Sequence, residues 1–224
     1  MRVIAEQTRR VLSDQAPGLP IVRAALEFAT ARHAGQSRGV DNSPFIAHPI
    51  EVARLLDSDG QPGEVIAAGL LHDLLETTAT TSPELERRFG TGIARLVESV
   101  SDDPSIGDFK ARKRELRARI AHAGPDTVAI FIADKISKVR ELALLPPSRL
   151  HEPQARAKLA HYVASLKMLR QVAPDGALLN RLDTELNRLV AAAATGPHNA
   201  RTITDNTGSN SKHRARQSEG GARS

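Results

Sequence analysis

An apolar stretch, residues 64–77 (EVIAAGLLHDLLET), carries near its C-terminal end three ionisable side chains that could do chemistry together. Its apolar residues lie on nearly all faces of the predicted helix, which indicates a buried element. Ionisable groups are costly to bury unless they are paired or coordinate a cation. His72 and Asp73 are adjacent and can converge on one ion beside the helix, while Glu76 lies one turn further along the same face. The pattern favours a site for a metal ion or for catalysis.

Two other segments supply candidate ligands. Asp134 lies in the middle of the apolar run TVAIFIADKISKV, and His48 lies in PFIAHPIEVA, just before Pro49 opens a predicted helix. Asp134 could instead form a surface pair with Lys138, four residues on. Two His and two Asp from three segments would suit a divalent ion with open water positions. Mn²⁺ is the first choice, with Fe²⁺, Co²⁺ and Mg²⁺ as alternatives.

Basic side chains near these segments are candidate phosphate contacts. Arg38 lies in the GQSR turn, and the run KARKRELRAR is equally consistent with a solvated helix face. The full set is Arg38, Lys110, Arg112, Lys113, Lys135, Lys138 and Arg140. His33 continues an apolar stripe and is expected to be an inner-face, hydrogen-bonded residue. His161 stands among charged residues and is assigned no role.

Helices must position these residues, because the chain shows no sustained period-two alternation. Pro and Gly separate the helical segments, which predict an all-α domain of about eight to ten helices over residues 1–195. The predicted segments are 2–14, 20–34, 49–58, 63–77, 82–89, 91–101, 108–123, 125–145, 150–173 and 175–194. The apolar periodicity of the last two predicts packing on the core or on a second subunit, so a homo-oligomer is possible.

The C-terminal segment, residues 196–224, differs from the rest in composition. It is rich in Gly, Ser, Asn, Thr and Arg and has almost no apolar residues, so we expect a disordered basic tail. The net charge of the chain is +5, and three of these charges belong to the tail. With an aromatic content of 3% and no Trp, specific nucleic-acid binding by the folded part is not indicated.

Composition excludes several classes of protein. The chain has no Cys, so any metal must be held by His, Asp or Glu and no thiol nucleophile is available. The longest apolar run, residues 65–71, is far shorter than the roughly 18 residues of a membrane span. The N-terminus mixes charges into its first turns and lacks the apolar core of a secretion signal. We therefore expect a cytoplasmic protein.

The spaced set His48, His72-Asp73 and Asp134 resembles the HD-domain metal-dependent phosphohydrolases. Five ordered blocks narrow the resemblance to the alarmone hydrolases, which remove the 3′-pyrophosphate from guanosine tetra- and pentaphosphate. The blocks are ALEFATARHAGQSR, PFIAHPIEVARLL, AAGLLHDLLETT, FGTGIARLVESVSDD and ADKISKVREL, which together cover about residues 20–145. The resemblance implies an HD-domain helical bundle.

The resemblance also implies roles for individual residues. His48, His72, Asp73 and Asp134 match the four metal-ligand positions. Glu76 matches the first acid of a Glu-Asp pair that positions and activates the attacking water. Thr77 stands at the position of the second acid, and Lys138 stands where the family usually has an Asn that contacts the nucleoside. With these two differences, Arg38, Lys113, Lys135 and Lys138 are the expected substrate contacts.

Three functions remain open at this point. The first is hydrolysis of a phosphorylated nucleotide, with an alarmone 3′-pyrophosphate as the first candidate. The second is another nucleotidase or phosphomonoesterase activity on the same scaffold, to which Thr77 and Lys138 point. The third is a catalytically weak nucleotide sensor that keeps the metal. A substrate panel separates the first two, and ligand-induced thermal stabilisation without product would indicate the third.

Overall fold

The computed structural model describes residues 19–194, which form ten α-helices, one 3₁₀ helix and no β-strand. The helices are α1 (Leu19–Arg32), α2 (Ala47–Ser58), α3 (Gly63–Leu71), α4 (Leu74–Thr77), α5 (Ser82–Phe89), α6 (Thr91–Val100), α7 (Phe109–Ile120), α8 (Pro125–Ala143), a 3₁₀ helix (Pro147–His151), α9 (Pro153–Val172) and α10 (Ala177–Ala194). The predicted all-α class is confirmed for this part of the chain. The predicted helix at 2–14 and the predicted tail at 196–224 lie outside the described residues.

Helices α3 and α8 form the centre of the domain. All residues from Val65 to Leu71 of α3 are buried, and α3 packs against α1, α2, α6 and α8. Helix α8 is buried from Thr127 to Ser137 and packs against α2 on one side and α10 on another. Each fully buried Leu, Ile or Phe contributes about 1.5–3 kcal/mol by leaving water. The two helices with the strongest apolar runs therefore become the core, and they carry Asp134 and lead into His72.

The approach of α2 to α3 is close because Gly69 has no side chain. A Cβ atom at Gly69 would lie 2.5 Å from Leu56 Cδ1 and 3.3 Å from Val52 Cγ1, both on α2. The distance of 2.5 Å is shorter than real Cβ contacts, so a larger residue would force α2 and α3 apart or displace Leu56. This contact brings together the two helices from which His48 and His72 extend.

The segment predicted as one helix over 63–77 is interrupted at His72 and Asp73, and the continuous helix was wrong. Helix α3 ends at Leu71, Asp73 has φ −91° and ψ −4°, and the short helix α4 begins at Leu74. In an unbroken helix the Gly69 carbonyl would accept from the N–H of residue 73. Here it accepts a hydrogen bond from His72 Nδ1 at 2.7 Å. The two site residues therefore occupy a turn between helices.

Local signals explain other helix boundaries. The Asp108 side chain accepts a hydrogen bond from the Ala111 N–H at 2.8 Å and caps α7, and Pro125 opens α8. Helix α2 begins at Ala47 and not at the predicted Pro49, so His48 lies inside its first turn. The predicted segment 150–173 divides into the 3₁₀ helix and α9. None of these shifts changes the order of the elements.

The C-terminal helices α9 and α10 complete the core. Their apolar faces are buried, including Leu166 and Leu169 on α9 and Leu178, Leu182 and Leu186 on α10. Helix α10 packs against α8 and α9, so the predicted apolar periodicity serves the interior of this chain. Within residues 19–194, no helix is long and apolar enough to cross a membrane.

Candidate metal centre

Four side chains from three helical segments meet in the interior. His48 comes from α2, His72 and Asp73 from the turn after α3, and Asp134 from the middle of α8. His48 Nε2 lies 3.1 Å from His72 Nε2, 3.3 Å from Asp73 Oδ2 and 3.2 Å from Asp134 Oδ1. His72 Nε2 lies 3.3 Å from Asp73 Oδ1. All four residues are buried.

The hydrogen-bond partners of the two imidazoles assign their tautomers. His72 Nδ1 lies 2.7 Å from the Gly69 carbonyl, which only accepts, so this nitrogen carries the proton. His48 Nδ1 lies 2.8 Å from Ser137 Oγ, and that hydroxyl lies 2.7 Å from Glu51 Oε2. Because the Ser137 proton goes to the carboxylate, His48 Nδ1 donates. Both Nε2 lone pairs therefore face the same point, where a cation removes their mutual repulsion.

The carboxylates fit the same ion. Asp73 Oδ2 is buried and accepts no hydrogen bond from the described residues. Burial alone would raise the pKa of Asp73, but its polar neighbours, among them the Lys138 ammonium, hold it well below its usual value. The ligand atoms of His48, His72 and Asp134 all lie within 4.8 Å of one another. Two imidazole nitrogens beside ionised carboxylates form a donor set suited to a divalent cation.

Two lysines on α8 balance the negative charge of the cluster. Lys138 Nζ lies 2.9 Å from Asp134 Oδ1 and 3.7 Å from Asp73 Oδ1. Although burial would lower the pKa of Lys138, these two carboxylates raise it well above its usual value. Lys138 is partly exposed, whereas Lys135 is buried and donates to Asp134 Oδ2. Burial lowers the pKa of Lys135 to about 8, against the opposing pull of Asp134. The predicted surface pair of Asp134 and Lys138 is therefore part of the buried cluster.

The predicted catalytic residues Glu76 and Thr77 lie at the exposed end of this turn. Glu76 Oε1 accepts a hydrogen bond from the backbone N–H of Asp102 at 2.9 Å. Thr77 donates its hydroxyl proton to the Asp73 carbonyl at 2.7 Å, so it serves the local backbone. Asp102 in turn binds Lys113 at 2.7 Å. A chain of contacts thus joins Glu76 to a predicted substrate lysine.

A pocket of about 170 Å³ opens beside the cluster and is rich in positive charge. Its lining includes three of the predicted substrate contacts, Lys113, Lys135 and Lys138, together with Lys158. Glu141 is the one acidic residue in the described lining. Arg38 is not part of this group: it pairs with Asp41 and lines a separate pocket with Arg140 and Arg181.

Several residues at the site were missed by sequence reasoning. His161 is buried and lines the lysine pocket, so its interpretation as one of several residues among solvated charges was wrong. Its immediate neighbours along the chain, Ala160 and Tyr162, are not charged, and Tyr162, Ser165 and Leu166 mark the buried face of α9 on which it lies. Ser137 and Glu51, behind His48, had no sequence signal beyond their helical spacing. His33 was predicted correctly: it is buried and its Nδ1 lies 2.8 Å from Gln36 Oε1.

Comparison with known families agrees with this architecture. The profile of the HD domain family matches residues 25–162, more than half of the chain. The chain therefore belongs to the HD domain family, and it is a metal-dependent phosphohydrolase.

Its relatives narrow the assignment. The mouse guanosine-3′,5′-bis(diphosphate) 3′-pyrophosphohydrolase MESH1 is 36% identical over 127 residues, which cover 55% of this chain and 70% of MESH1. A guanosine-3′,5′-bis(diphosphate) 3′-pyrophosphohydrolase of Aquifex aeolicus is 33% identical over 62% of this chain and 20% of that protein. The solved structure of a metazoan orthologue of SpoT that hydrolyses ppGpp has a TM-score of 0.67 at 24% identity, covering 79% of this chain and 98% of that one.

Proposed function

We propose that this protein is a (p)ppGpp-type 3′-pyrophosphohydrolase that uses a divalent ion, with Mn²⁺ as the first choice. The observation that carries the proposal is the convergence of the His48 and His72 Nε2 atoms, 3.1 Å apart, on buried carboxylate oxygens. The substrate is inferred from MESH1, whose name gives guanosine-3′,5′-bis(diphosphate). The match to the HD domain family, residues 25–162, includes all four proposed ligands, which span residues 48–134.

The proposed ligands are His48, His72, Asp73 and Asp134. Imidazole nitrogens and carboxylate oxygens in equal number suit Mn²⁺ better than an all-oxygen site would, and Fe²⁺, Co²⁺ and Mg²⁺ are the alternatives. When bound, the ion supplies Lewis acidity toward a phosphate oxygen and lowers the pKa of a water molecule that it ligates. The protein keeps the four ligands ready by burying them and by holding both histidine protons on Nδ1.

Glu76 is the proposed base or orienting group for the attacking water. Its carboxylate is exposed and held by the Asp102 N–H, which leaves the second carboxylate oxygen able to accept a proton. In the reaction, water adds to the phosphorus attached to the 3′ oxygen and gives up a proton, and the bond between that phosphorus and the 3′ oxygen breaks. The 3′ oxygen takes a proton, so the nucleotide leaves with a free 3′-hydroxyl and the attacked group is released as pyrophosphate. Thr77 cannot share this role, because its hydroxyl is used by the Asp73 carbonyl and is not basic.

The lysine pocket is the proposed binding cleft for the substrate phosphates. Lys113, Lys138 and Lys158 line it and would pair with phosphate oxygens, and Phe109 and Tyr162 give it apolar surface for a nucleoside. Lys135 is buried against Asp134 and the Phe131 ring, 4.4 Å from the ring centroid, and would act mainly by its charge. Arg38 stays a prediction as a substrate contact.

A release assay tests the proposal. Guanosine tetraphosphate, other nucleotides and sugar phosphates are supplied with Mn²⁺, and pyrophosphate and inorganic phosphate are measured separately. We expect pyrophosphate from the alarmone, and we expect His72→Ala and Asp73→Ala to lose metal and activity together. Normal metal content in both variants would show that other residues hold the ion.

Other outcomes would change the proposed activity. Inorganic phosphate from a broader set of nucleotides would indicate a phosphomonoesterase, the alternative that Lys138 and Thr77 support. Thermal stabilisation by nucleotide without any product would indicate a sensor. Self-association and a cytoplasmic location stay predictions from the sequence.

A further inference from the structure

The residues behind His48 form a chain of hydrogen bonds that leads away from the metal-facing atom. His48 Nδ1 lies 2.8 Å from Ser137 Oγ, and Ser137 Oγ lies 2.7 Å from Glu51 Oε2. Arg140 Nη1 donates to Glu51 Oε1 at 2.7 Å. The other two nitrogens of Arg140, Nε and Nη2, donate to the Glu185 carboxylate at 2.8 and 2.6 Å. The chain therefore runs from the centre of the domain to helix α10.

Two helices supply the first four members in matching pairs. His48 and Glu51 are three residues apart on α2, and Ser137 and Arg140 are three residues apart on α8. Residues at this spacing share a helix face, so packing α2 against α8 interleaves the two pairs. Ser137 is fully buried, so bulk water does not compete for its contact with His48.

The chemistry of the partners decides which group donates and which accepts in each of these hydrogen bonds. Arg140 can only donate, so Glu51 Oε1 accepts from it. Ser137 Oγ donates its single proton to Glu51 Oε2, so it must accept from His48. His48 then donates from Nδ1, which leaves Nε2, the atom beside Asp73 and Asp134, to face the proposed metal position. The contacts of Arg140, Glu51 and Ser137 therefore favour Nε2 of His48 as the nitrogen that binds a metal ion.

We propose that Ser137, Glu51, Arg140 and Glu185 are positioning residues that hold His48 in its metal-binding tautomer and orientation. The proposal rests on the proposed metal centre. It also extends the functional unit beyond the HD match, because Glu185 lies outside residues 25–162. Helix α10 thereby contributes to metal affinity without providing a ligand.

The test is metal binding and the state of His48, measured without substrate. The apoprotein is titrated calorimetrically with Mn²⁺, and the protonated nitrogen of His48 is identified by ¹⁵N NMR. Loss of a partner behind a metal-ligating His typically costs about 10–100-fold in affinity, which is the loss we expect for Ser137→Ala and Glu51→Gln. Glu185→Gln should weaken binding less, because Arg140 keeps Glu51. In the parent we expect the proton on Nδ1.

Ser165→Ala is the matched control. Ser165 is also fully buried, but it donates to a carbonyl of its own helix, that of His161, and should leave the affinity unchanged. Affinities of Ser137→Ala and Glu51→Gln equal to that of Ser165→Ala would overturn the proposal, as would a parent His48 protonated on Nε2 alone. If the parent binds no metal, the proposed function fails. The ¹⁵N NMR measurement still shows whether the His48 proton is held on Nδ1.

Discussion

Lys138 Nζ lies 2.9 Å from Asp134 Oδ1 and 3.7 Å from Asp73 Oδ1, so its ammonium contacts the two carboxylates proposed to ligate the metal. The resemblance to the alarmone hydrolases implies an uncharged Asn at this position. In this chain the Lys138 ammonium therefore compensates the negative charge of the two carboxylates when no metal ion is bound. The same charge opposes a divalent cation, because like charges a few ångström apart repel even at an effective dielectric constant of about 20.

Lys138→Met should increase the affinity for Mn²⁺. Removing the positive charge while keeping the length of the side chain eliminates the repulsion, and we expect at least about tenfold tighter binding, equivalent to 1.4 kcal/mol. The apoprotein should melt at a lower temperature, because two buried carboxylates lose a partner. Calorimetric titration and thermal melts with and without Mn²⁺ measure both effects. Exposed Lys110 provides the control as Lys110→Met, and weaker metal binding by Lys138→Met would contradict the expectation.

Glu76→Gln should keep the metal and lose most of the turnover. The amide preserves the shape and can still accept from the Asp102 N–H, but it cannot take a proton. A positioned general base contributes about 10²–10⁴-fold, so kcat should fall by that factor. Thr77→Asp, which restores the second acid of the family pair, should preserve or raise hydrolysis of an alarmone. Turnover by Glu76→Gln at the parent rate would make Glu76 structural.

Lys158→Ala should raise KM more than it lowers kcat. Lys158 lines the lysine pocket on α9, away from the proposed water, and a hydrogen bond to a charged group contributes about 1.5–3 kcal/mol, or roughly tenfold or more in KM. Lys167→Ala, an exposed lysine on the same helix, is the control. Steady-state kinetics at two salt concentrations measure the effect. Equal KM values for the two variants would place the phosphates elsewhere.

His161 makes the stability of the fold depend on pH. Burial, reinforced by the charges of Lys135 and Lys113, lowers the pKa of His161 to about 2. The unfolded chain has the ordinary value of about 6.5, so below that pH the unfolded state binds a proton that the folded state does not. Stability is therefore lost as pH falls from about 6.5.

His161→Gln should remove this dependence. The stability difference between parent and variant should shrink by about 2 kcal/mol between pH 7.5 and pH 5, at 1.36 kcal/mol for each pH unit below 6.5. Urea unfolding at both pH values gives the difference. Exposed His151 is the control as His151→Gln. A stability difference independent of pH for His161→Gln would mean that His161 has the same pKa in the folded and unfolded states.

Much of this arrangement could be predicted from the sequence, for a physical reason. An ionised residue inside an apolar helix is costly without a partner, so Asp73 and Asp134 marked the site by their surroundings. The spacing of Pro and Gly marked most helices, and the apolar runs of α3 and α8 marked the core. These are local signals, visible in a window of about ten residues.

What could not be predicted depends on contacts between distant segments. His161 is 26 residues beyond Lys135, and only the packing of α9 places both at one pocket. Ser137 and Glu51 are ordinary helix residues until α2 and α8 meet. The break between α3 and α4 follows from the competition of His72 for a backbone carbonyl, which no propensity scale includes.

Gly69→Ala should destabilise the protein and weaken metal binding together. The new methyl group would lie 2.5 Å from Leu56 Cδ1, and such overpacking costs about 1–3 kcal/mol, more than the helix propensity of Ala returns. Gly92→Ala on α6 is the control, because a Cβ there meets no atom within 4 Å and should be neutral or stabilising. Thermal melts and Mn²⁺ titration measure the two effects. An unchanged Mn²⁺ affinity in Gly69→Ala would show that the spacing of α2 and α3 does not affect metal binding.

The close contact at Gly69 sets the spacing of α2 and α3 independently of the turn that connects them. The distance of 3.1 Å between the Nε2 atoms of His48 and His72 depends on this contact, so the turn at residues 59–62 only has to join the ends of the two helices. Gly60, with φ +77° and open space around it, closes that turn at the surface. The ends of α2 and α3 could be joined by a longer insert, or left as new termini in a circular permutant, with the histidines still in register.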